Sequence, residues 1–439
     1  MFVKKPENIH DVIRHDLCNR CGSCVGLSGG KIVFSDRAGK YLPLIKEPLD
    51  HETSKLVWQA CSGKGFDFPK QKLSIFGNSE GALNHYIGYA TDPDIRLNSA
   101  SGGIISSILI WLLEKKMIDG AVVLGMSEKE PWFTRPFIAK TREEIMEAAQ
   151  SKYIISSVNE ILPEIGAFKG TLAYIGLPGQ VQSIRLLQQI DHPWVRSIRY
   201  IFGPFYGNTL HFSSVVSFLR SFGVKDYRLI NKLYFRYGEW PGNMRVELAD
   251  GRIFELPKFH ANYLIPFHIL KNSLLCTDLT NEFTDISGGD AWAPDYEQRG
   301  KGFSLVISRS TAGQDILDRM TQEGKLNLEP VSADKALEMH SHGYDLKKRG
   351  AFIRMKYRNW AGKPNPDYGY EVKGFSFSRY LMEAMIDVLF LVLSTGPARW
   401  LAEKLPPAFI GGLFAKTRII WKRMTHKIKR QNLGQDGRE

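Results

Sequence analysis

The chain has 439 residues, 43% of them hydrophobic and 24% charged, a globular balance that excludes disordered and fibrous classes. Five cysteines are too few, and odd in number, for a disulfide scaffold. The formal charge of +12 sits mostly at one end, because Pro397 to Glu439 carries ten Lys and Arg against three acids. Basicity is therefore a property of a tail, and a nucleic-acid partner is not expected.

At about 150 residues per domain, two to three domains are expected. The first seventeen residues hold no apolar run of a secretory signal, so a cytoplasmic, reducing location is expected. Residues 1–85 are turn-rich, contain four of the five cysteines and read as a ferredoxin-like cluster loop region. Cys18, Cys21 and Cys24 follow a CxxCxxC spacing that wraps one cubane, with Gly22 allowing close backbone approach to the sulfurs. A ferredoxin run would place its fourth cysteine at 28, which is Ser28. Of the remaining Cys61 and Cys276, Cys61 shares the turn-rich segment and is the expected fourth ligand of a [4Fe–4S] cluster. Zinc held by the same four cysteines is the alternative, although zinc sites usually pair two CxxC units.

Residues 86–225 alternate apolar strands and helical runs, the texture of a parallel α/β core. Ala121–Met126, Thr171–Gly176 and Ser197–Phe202 are predicted as strands, and Ile104–Glu114, Glu143–Gln150 and Val181–Gln189 as helices. The run Arg96-Leu97-Asn98-Ser99-Ala100-Ser101-Gly102-Gly103 directly precedes the first of these helices. Its hydroxyls and free N–H groups suit a phosphate, or simply cap the helix. The turn Gly176-Leu177-Pro178-Gly179-Gln180 follows a strand end, where open α/β sheets bind ligands.

Residues 226–376 read as a hairpin-rich second domain. Met244–Leu256 alternates around Asp250-Gly251, which predicts a type I′ turn. Asp285 and Asp290 flank a Gly pair, as turn chemistry or as substrate-orienting groups. His340-Ser341-His342 has metal-ligand spacing but no third ligand nearby, so a cap or surface role is favoured. No GxSxG, HExxH or P-loop sequence is present, which excludes the common hydrolase and kinase classes. Residues 377–439 form a basic amphipathic tail. Leu381–Leu393 is apolar, interrupted by Glu383 and Asp387, and too short for a span of about 20 residues. Leu413, Ile420, Trp421, Met424 and Ile428 lie among seven Lys and Arg between Lys416 and Arg430, a pattern suited to an anionic membrane surface, or to packing on the chain's own domain.

The ordered set CxxCGxC, RxxSxSGG, Ser151-Lys152-Tyr153, GxPxQ, FRYGxxPG (Phe235 to Gly242), DISGGDAW (Asp285 to Trp292) and KGFSLVI (Lys301 to Ile307) resembles the coenzyme F420 hydrogenase/dehydrogenase beta subunit family over roughly residues 15–375. The resemblance implies an iron–sulfur flavoprotein oxidoreductase. Electrons from a ferredoxin or a hydrogenase/dehydrogenase partner subunit would pass through the cluster and FAD to a deazaflavin-type or other organic acceptor. It places Asn98, Ser99, Ser101, Gly102, Gly103, Ser151 and Tyr153 along the flavin, with Gly176, Pro178 and Gln180 beside it. Lys152 becomes the catalytic residue, able to stabilise an anionic reduced flavin. Two departures stand out: Gly179 where relatives commonly carry a cysteine, and Leu279 where a CxxC pair with Cys276 is often found. A non-catalytic electron-transfer subunit and a zinc-stabilised binding protein are the competing expectations. The location implied is cytoplasmic, with a peripheral contact at the inner membrane face.

Overall fold

The computed structural model describes residues 4–78, 81–298 and 300–430. Near the amino terminus, helix α1 (Ser23–Leu27), strands β1 (Ile32–Phe34) and β2 (Pro43–Ile45), which form an antiparallel pair, and helix α2 (His51–Ala60) surround the cysteines. The chain then supplies β3 (Asn84–Ala90), α3 (Ile104–Glu114), β4 (Gly120–Met126), β5 (Thr134–Ala139), α4 (Arg142–Glu147), β6 (Leu172–Ile175), α5 (Pro178–Gln189) and β7 (Ile198–Pro204). A small antiparallel sheet follows, of β8 (Ile230–Tyr237), β9 (Asn243–Leu248) and β10 (Ile253–Pro257), leading into α6 (Lys258–Ala261). Strands β11 (Ile286–Asp290), β12 (Ser304–Ser308) and β13 (Leu326–Pro330) return to the main sheet. Helices α7 (Phe377–Leu393), α8 (Gly396–Glu403) and α9 (Pro407–Arg430) end the described chain.

The main sheet has eight strands in the order β13-β3-β12-β11-β7-β6-β4-β5. Its central four, β11, β7, β6 and β4, run parallel; the βα alternation predicts this for β4, β6 and β7, whereas β11 comes from the region read as hairpin-rich. The flanking pairs are antiparallel, so the expected parallel core is bracketed by antiparallel edges. Strands from both sides of residue 225 share this sheet. Alternation along the central strands feeds two cores. Val122, Tyr174 and Ile201 face the cysteine-bearing segment and α5, whereas Ala121, Val123, Ala173 and Tyr200 face α3. Helix α3 is buried on most of its circumference, which explains its apolar composition.

The β9–β10 hairpin differs from the type I′ expectation. Leu248 N–H donates to Arg252 O (2.9 Å) and Gly251 N–H to Leu248 O (3.0 Å), closing a three-residue loop in which Gly251 alone is left-handed (φ 86°). The Asp250 carboxylate accepts from the Arg252 backbone N–H (3.1 Å) and Nε (2.9 Å), which favours this wider loop with its glycine bulge.

Helix α7 buries an ion pair and exposes an apolar side. Its first acid and its arginine are interior: Glu383 and Arg379 are 0% and 1% exposed, and Arg379 reaches both Glu383 (2.5 Å) and Asp345 (2.9 Å), while Arg354 also pairs with Glu383. Beside Met382 and Ile386, which are buried, many of its apolar residues point outward, with Leu381, Met385, Val388, Leu389 and Leu391 all more than half exposed. Among the described residues no single helix is long and apolar enough to cross a membrane. α7 and α8 pass that test together, but are bent by 72°. Residues 431–439 of the expected tail lie outside the described residues.

Candidate functional site

Cys18, Cys21, Cys24 and Cys61 line one cavity, walled by Val12, Ile13, Phe34 and Val57. Gly22 (φ 97°) starts α1, and a Cβ there would meet Glu160 N at 2.6 Å, so the first three cysteines turn around a position only glycine fills. Cys61 ends α2, packed close through Gly63, whose Cβ would lie 2.7 Å from Val12 Cγ1. Burial, reinforced by the neighbouring thiols, raises Cys61 to about 12 and Cys24 well above its ordinary value. No three Cys, His, Asp or Glu side chains among the described residues are set to chelate one metal ion. The four thiols share a wall instead. Cys276 is buried elsewhere.

A small polar cavity adjoins this one through Asn19. Asn19 Nδ2 donates to Ser62 Oγ (2.8 Å), and Ser62 Oγ donates to Gly179 O (2.6 Å). A Cβ at Gly179 would fall 2.3 Å from Asn19 Nδ2, which gives the glycine departure in the GxPxQ turn a structural reason: residue 19 occupies the space. Gly179→Ala is expected to cost about 1–3 kcal/mol through displacement of Asn19. The urea midpoint checks this. Gln180 is a staple of the turn: its Oε1 accepts from Leu177 N–H (2.7 Å) and its Nε2 donates to Ser156 O (2.7 Å).

Ser156, Leu177 and Gln180 also border a third and far larger cavity, of about 900 Å³. It lies at the carboxyl ends of the parallel strands, lined by Leu124 (β4), Ile175 (β6), Pro204 (β7) and Gly288 to Asp290 (β11). Of the predicted residues, Ser99, Ser101, Gly103, Ser151, Lys152, Tyr153, Gly176 and Gln180 are brought together on its wall. Asn98, Gly102 and Pro178 are not on that wall. Asn98 Nδ2 donates to Asp94 O (2.9 Å), Pro178 is buried at the start of α5, and Gly102 N–H donates to Ser304 Oγ (2.9 Å). The Ser99 and Ser101 hydroxyls are already tied to Ile95 O (2.6 Å) and Phe303 O (2.7 Å), which leaves the start of α3 itself to face the cavity.

Lys152 Nζ donates to Ala148 O (2.5 Å), Ala149 O (2.7 Å) and Gln150 O (3.3 Å), capping the carbonyl end of α4. Burial lowers its pKa to about 7. Beside it stands a charged group that spacing did not single out. Arg236 on β8, 2% exposed, bonds Asp290 (3.2 Å) and the Tyr153 hydroxyl (3.1 Å), and also donates to Ala100 O. Trp240 Nε1 donates to the same carboxylate (2.6 Å). Burial alone would raise Tyr153, but Arg236 and Lys258 outweigh it and hold the phenol below its ordinary value. His340, lowered to about 4 by burial, is neutral and donates from Nε2 to Asp290 O (2.9 Å). Asp285, just before β11, is structural: it accepts from Ile201 N–H (2.8 Å) and Ser310 Oγ (2.6 Å). Arg236 and Asp290 both lie within the motifs quoted above, yet nothing in the sequence says that two segments 54 residues apart pair.

Residues 85–163 match the amino-terminal part of the coenzyme F420 hydrogenase/dehydrogenase beta subunit family, and residues 170–334 match the carboxy-terminal part of the same family. The chain belongs to this family. The cysteine segment and the helical tail lie outside the matched ranges. A coenzyme F420-dependent sulfite reductase of Methanocaldococcus jannaschii is 24% identical over 78% of this chain, which spans about half (52%) of that relative. The coenzyme F420 hydrogenase subunit beta of Methanosarcina barkeri is 27% identical over 56% of this chain and 81% of its own length. A chain in the structure of the F420-reducing [NiFe] hydrogenase complex from Methanosarcina barkeri shares the fold, with TM-score 0.51 and 20% identity, covering 65% of this chain and 96% of the other.

Proposed function

From membership of that family, we propose that this chain is an iron–sulfur flavoprotein oxidoreductase. Cys18, Cys21, Cys24 and Cys61 would hold a [4Fe–4S] cluster, the large cavity would hold FAD, and a ferredoxin or partner subunit would donate electrons destined for an organic acceptor. The supporting observation is the row of three adjoining cavities: thiol-lined, then polar, then large and at the strand ends. The two groups would supply one-electron and two-electron chemistry. The chain's own residues bind, orient and handle protons. The start of α3 offers N–H groups to an anion, Lys152 anchors the end of α4 at the cavity wall, and the acidified Tyr153 hydroxyl is a proton donor held in place by Arg236. The test is the absorption spectrum of anaerobically purified protein with iron, sulfide and flavin quantified. About four irons and one flavin per chain, bleached by dithionite, is the expected result. Iron without flavin would assign an electron-transfer subunit, and neither group after reconstitution would overturn the reading.

We also propose that the tail rests on an anionic membrane surface at the cytoplasmic face. Helix α7 supports this, since its exposed apolar side is costly in water and favourable against lipid. Exposed Phe409, Leu413, Ile420 and Met424 on α9 lie beside exposed Lys416, Arg423 and Lys427, a charge pattern suited to acidic headgroups. Leu391→Glu is expected to weaken binding to phosphatidylglycerol vesicles about tenfold, with the urea midpoint unchanged because the side chain is 64% exposed. Vesicle flotation measures it, and binding that survives the substitution would count against lipid contact.

A further inference from the structure

Helix α9 has two faces, and one of them lies along the large cavity, with Arg418 and Ile419 there still solvent-exposed. The stripe Gly411, Ala415, Arg418, Ile419 and Lys422 recurs at helical spacing on that side. Gly411 packs on α6, where a Cβ would lie 2.7 Å from His260 Cβ, and the next four residues of the stripe line the large cavity. At the far end Lys429 Nζ approaches Asp345 (3.9 Å). A segment beyond the matched family ranges thus lies across the cavity and completes its wall.

Arg418 keeps solvent contact on the cavity wall and makes no hydrogen bond or ion pair among the described residues. Facing it from α6, the Lys258 ammonium lies over the Trp292 (4.7 Å) and Phe259 (5.1 Å) rings, within the field of Asp290 but in no salt bridge among the described residues. The two cations repel each other. Asp290, the nearby acid, is already committed to Arg236 and Trp240. Two cations from separate elements facing one cavity attract an anion between them, and a guanidinium with an ammonium suits a multiply charged phosphate.

We propose that α9 is a specificity element, and that Arg418 and Lys258 clamp the phosphate of a phosphorylated organic acceptor at the cavity mouth. The identity of that ligand as electron acceptor rests on the flavoprotein reading; the clamp does not. The test is calorimetric titration of the full chain as purified with inorganic pyrophosphate, with FAD affinity measured separately by fluorescence. Arg418→Gln is expected to weaken pyrophosphate about tenfold and leave FAD affinity unchanged. Lys427→Gln, on the outward face, is expected to change neither. Gly411→Leu should weaken pyrophosphate without removing a charge, because α9 must lift from His260. Pyrophosphate binding that is absent, or indifferent to Arg418→Gln, overturns the clamp. A parallel loss of FAD affinity in Arg418→Gln also overturns it, by assigning the cations to the flavin's own diphosphate. A wild-type chain with Arg418-dependent pyrophosphate binding and no FAD affinity would keep the clamp and remove the flavin.

Discussion

Cys24→Ser is expected to lower bound iron from about four atoms per chain to near zero, while Cys276→Ser leaves it unchanged. The contrast follows from position. Cys24 shares its cavity wall with Cys18, Cys21 and Cys61, whereas Cys276 lies in the polar cavity beside Tyr206 and Tyr368. A serine at 24 would replace a soft sulfur donor with a hard, weakly acidic hydroxyl in a desolvated place, and one iron would lose its ligand. Colorimetric iron and acid-labile sulfide measure the outcome. Full iron retention in Cys24→Ser would remove this cysteine from the ligand set, and equal loss in Cys276→Ser would place a ligand outside the amino-terminal segment.

Arg236→Ala is expected to destabilise the fold by about 3–5 kcal/mol, the cost of leaving a buried charge without its partner. Arg236 and Asp290 side chains are 2% and 14% exposed, so solvent screens the pair weakly. Truncation would strand the Asp290 carboxylate, the Tyr153 hydroxyl and Ala100 O together. Arg236→Lys is expected to recover little, because one ammonium cannot reproduce the fork reaching three acceptors. The double change Arg236→Gln with Asp290→Asn should cost less than the sum of the single ones, since neither charge is then stranded. Urea unfolding at neutral pH reads all three. Burial opposes ionisation of Asp290, but Arg236 and Lys258 prevail and hold it below the ordinary carboxylate range. The pair's contribution is therefore fully present at neutral pH and is lost only as pH falls through that depressed value.

The glycine-rich run and the Ser151-Lys152-Tyr153 segment were legible because each abuts a strongly periodic element, and motif and helix start coincide at Gly103. Lys152 shows the limit of that reading. Its place on the cavity wall follows the motif, but its ammonium is spent on α4 carbonyls, which depends on how the chain turns after Glu147. The acids of α7 were legible only as interruptions of an apolar run. Charge spacing cannot tell whether Glu383 faces water or an arginine from another helix, and here Arg354, 29 residues earlier, makes the difference.

What the sequence by itself determined is local: the CxxCxxC loop around Gly22, the βα alternation that makes β4, β6 and β7 parallel, the buried helix α3 and the basic tail. Each is written in neighbours within about one turn or one strand, where backbone geometry and periodicity act directly. The tertiary structure alone decided which distant groups meet: Cys61 with the cysteine loop, Arg236 with Asp290 and Tyr153, Asn19 against Gly179, and the tail's Arg418 opposite Lys258. Such pairings depend on sheet order and helix docking, which are settled by packing of the whole core and leave no periodic trace in the chain.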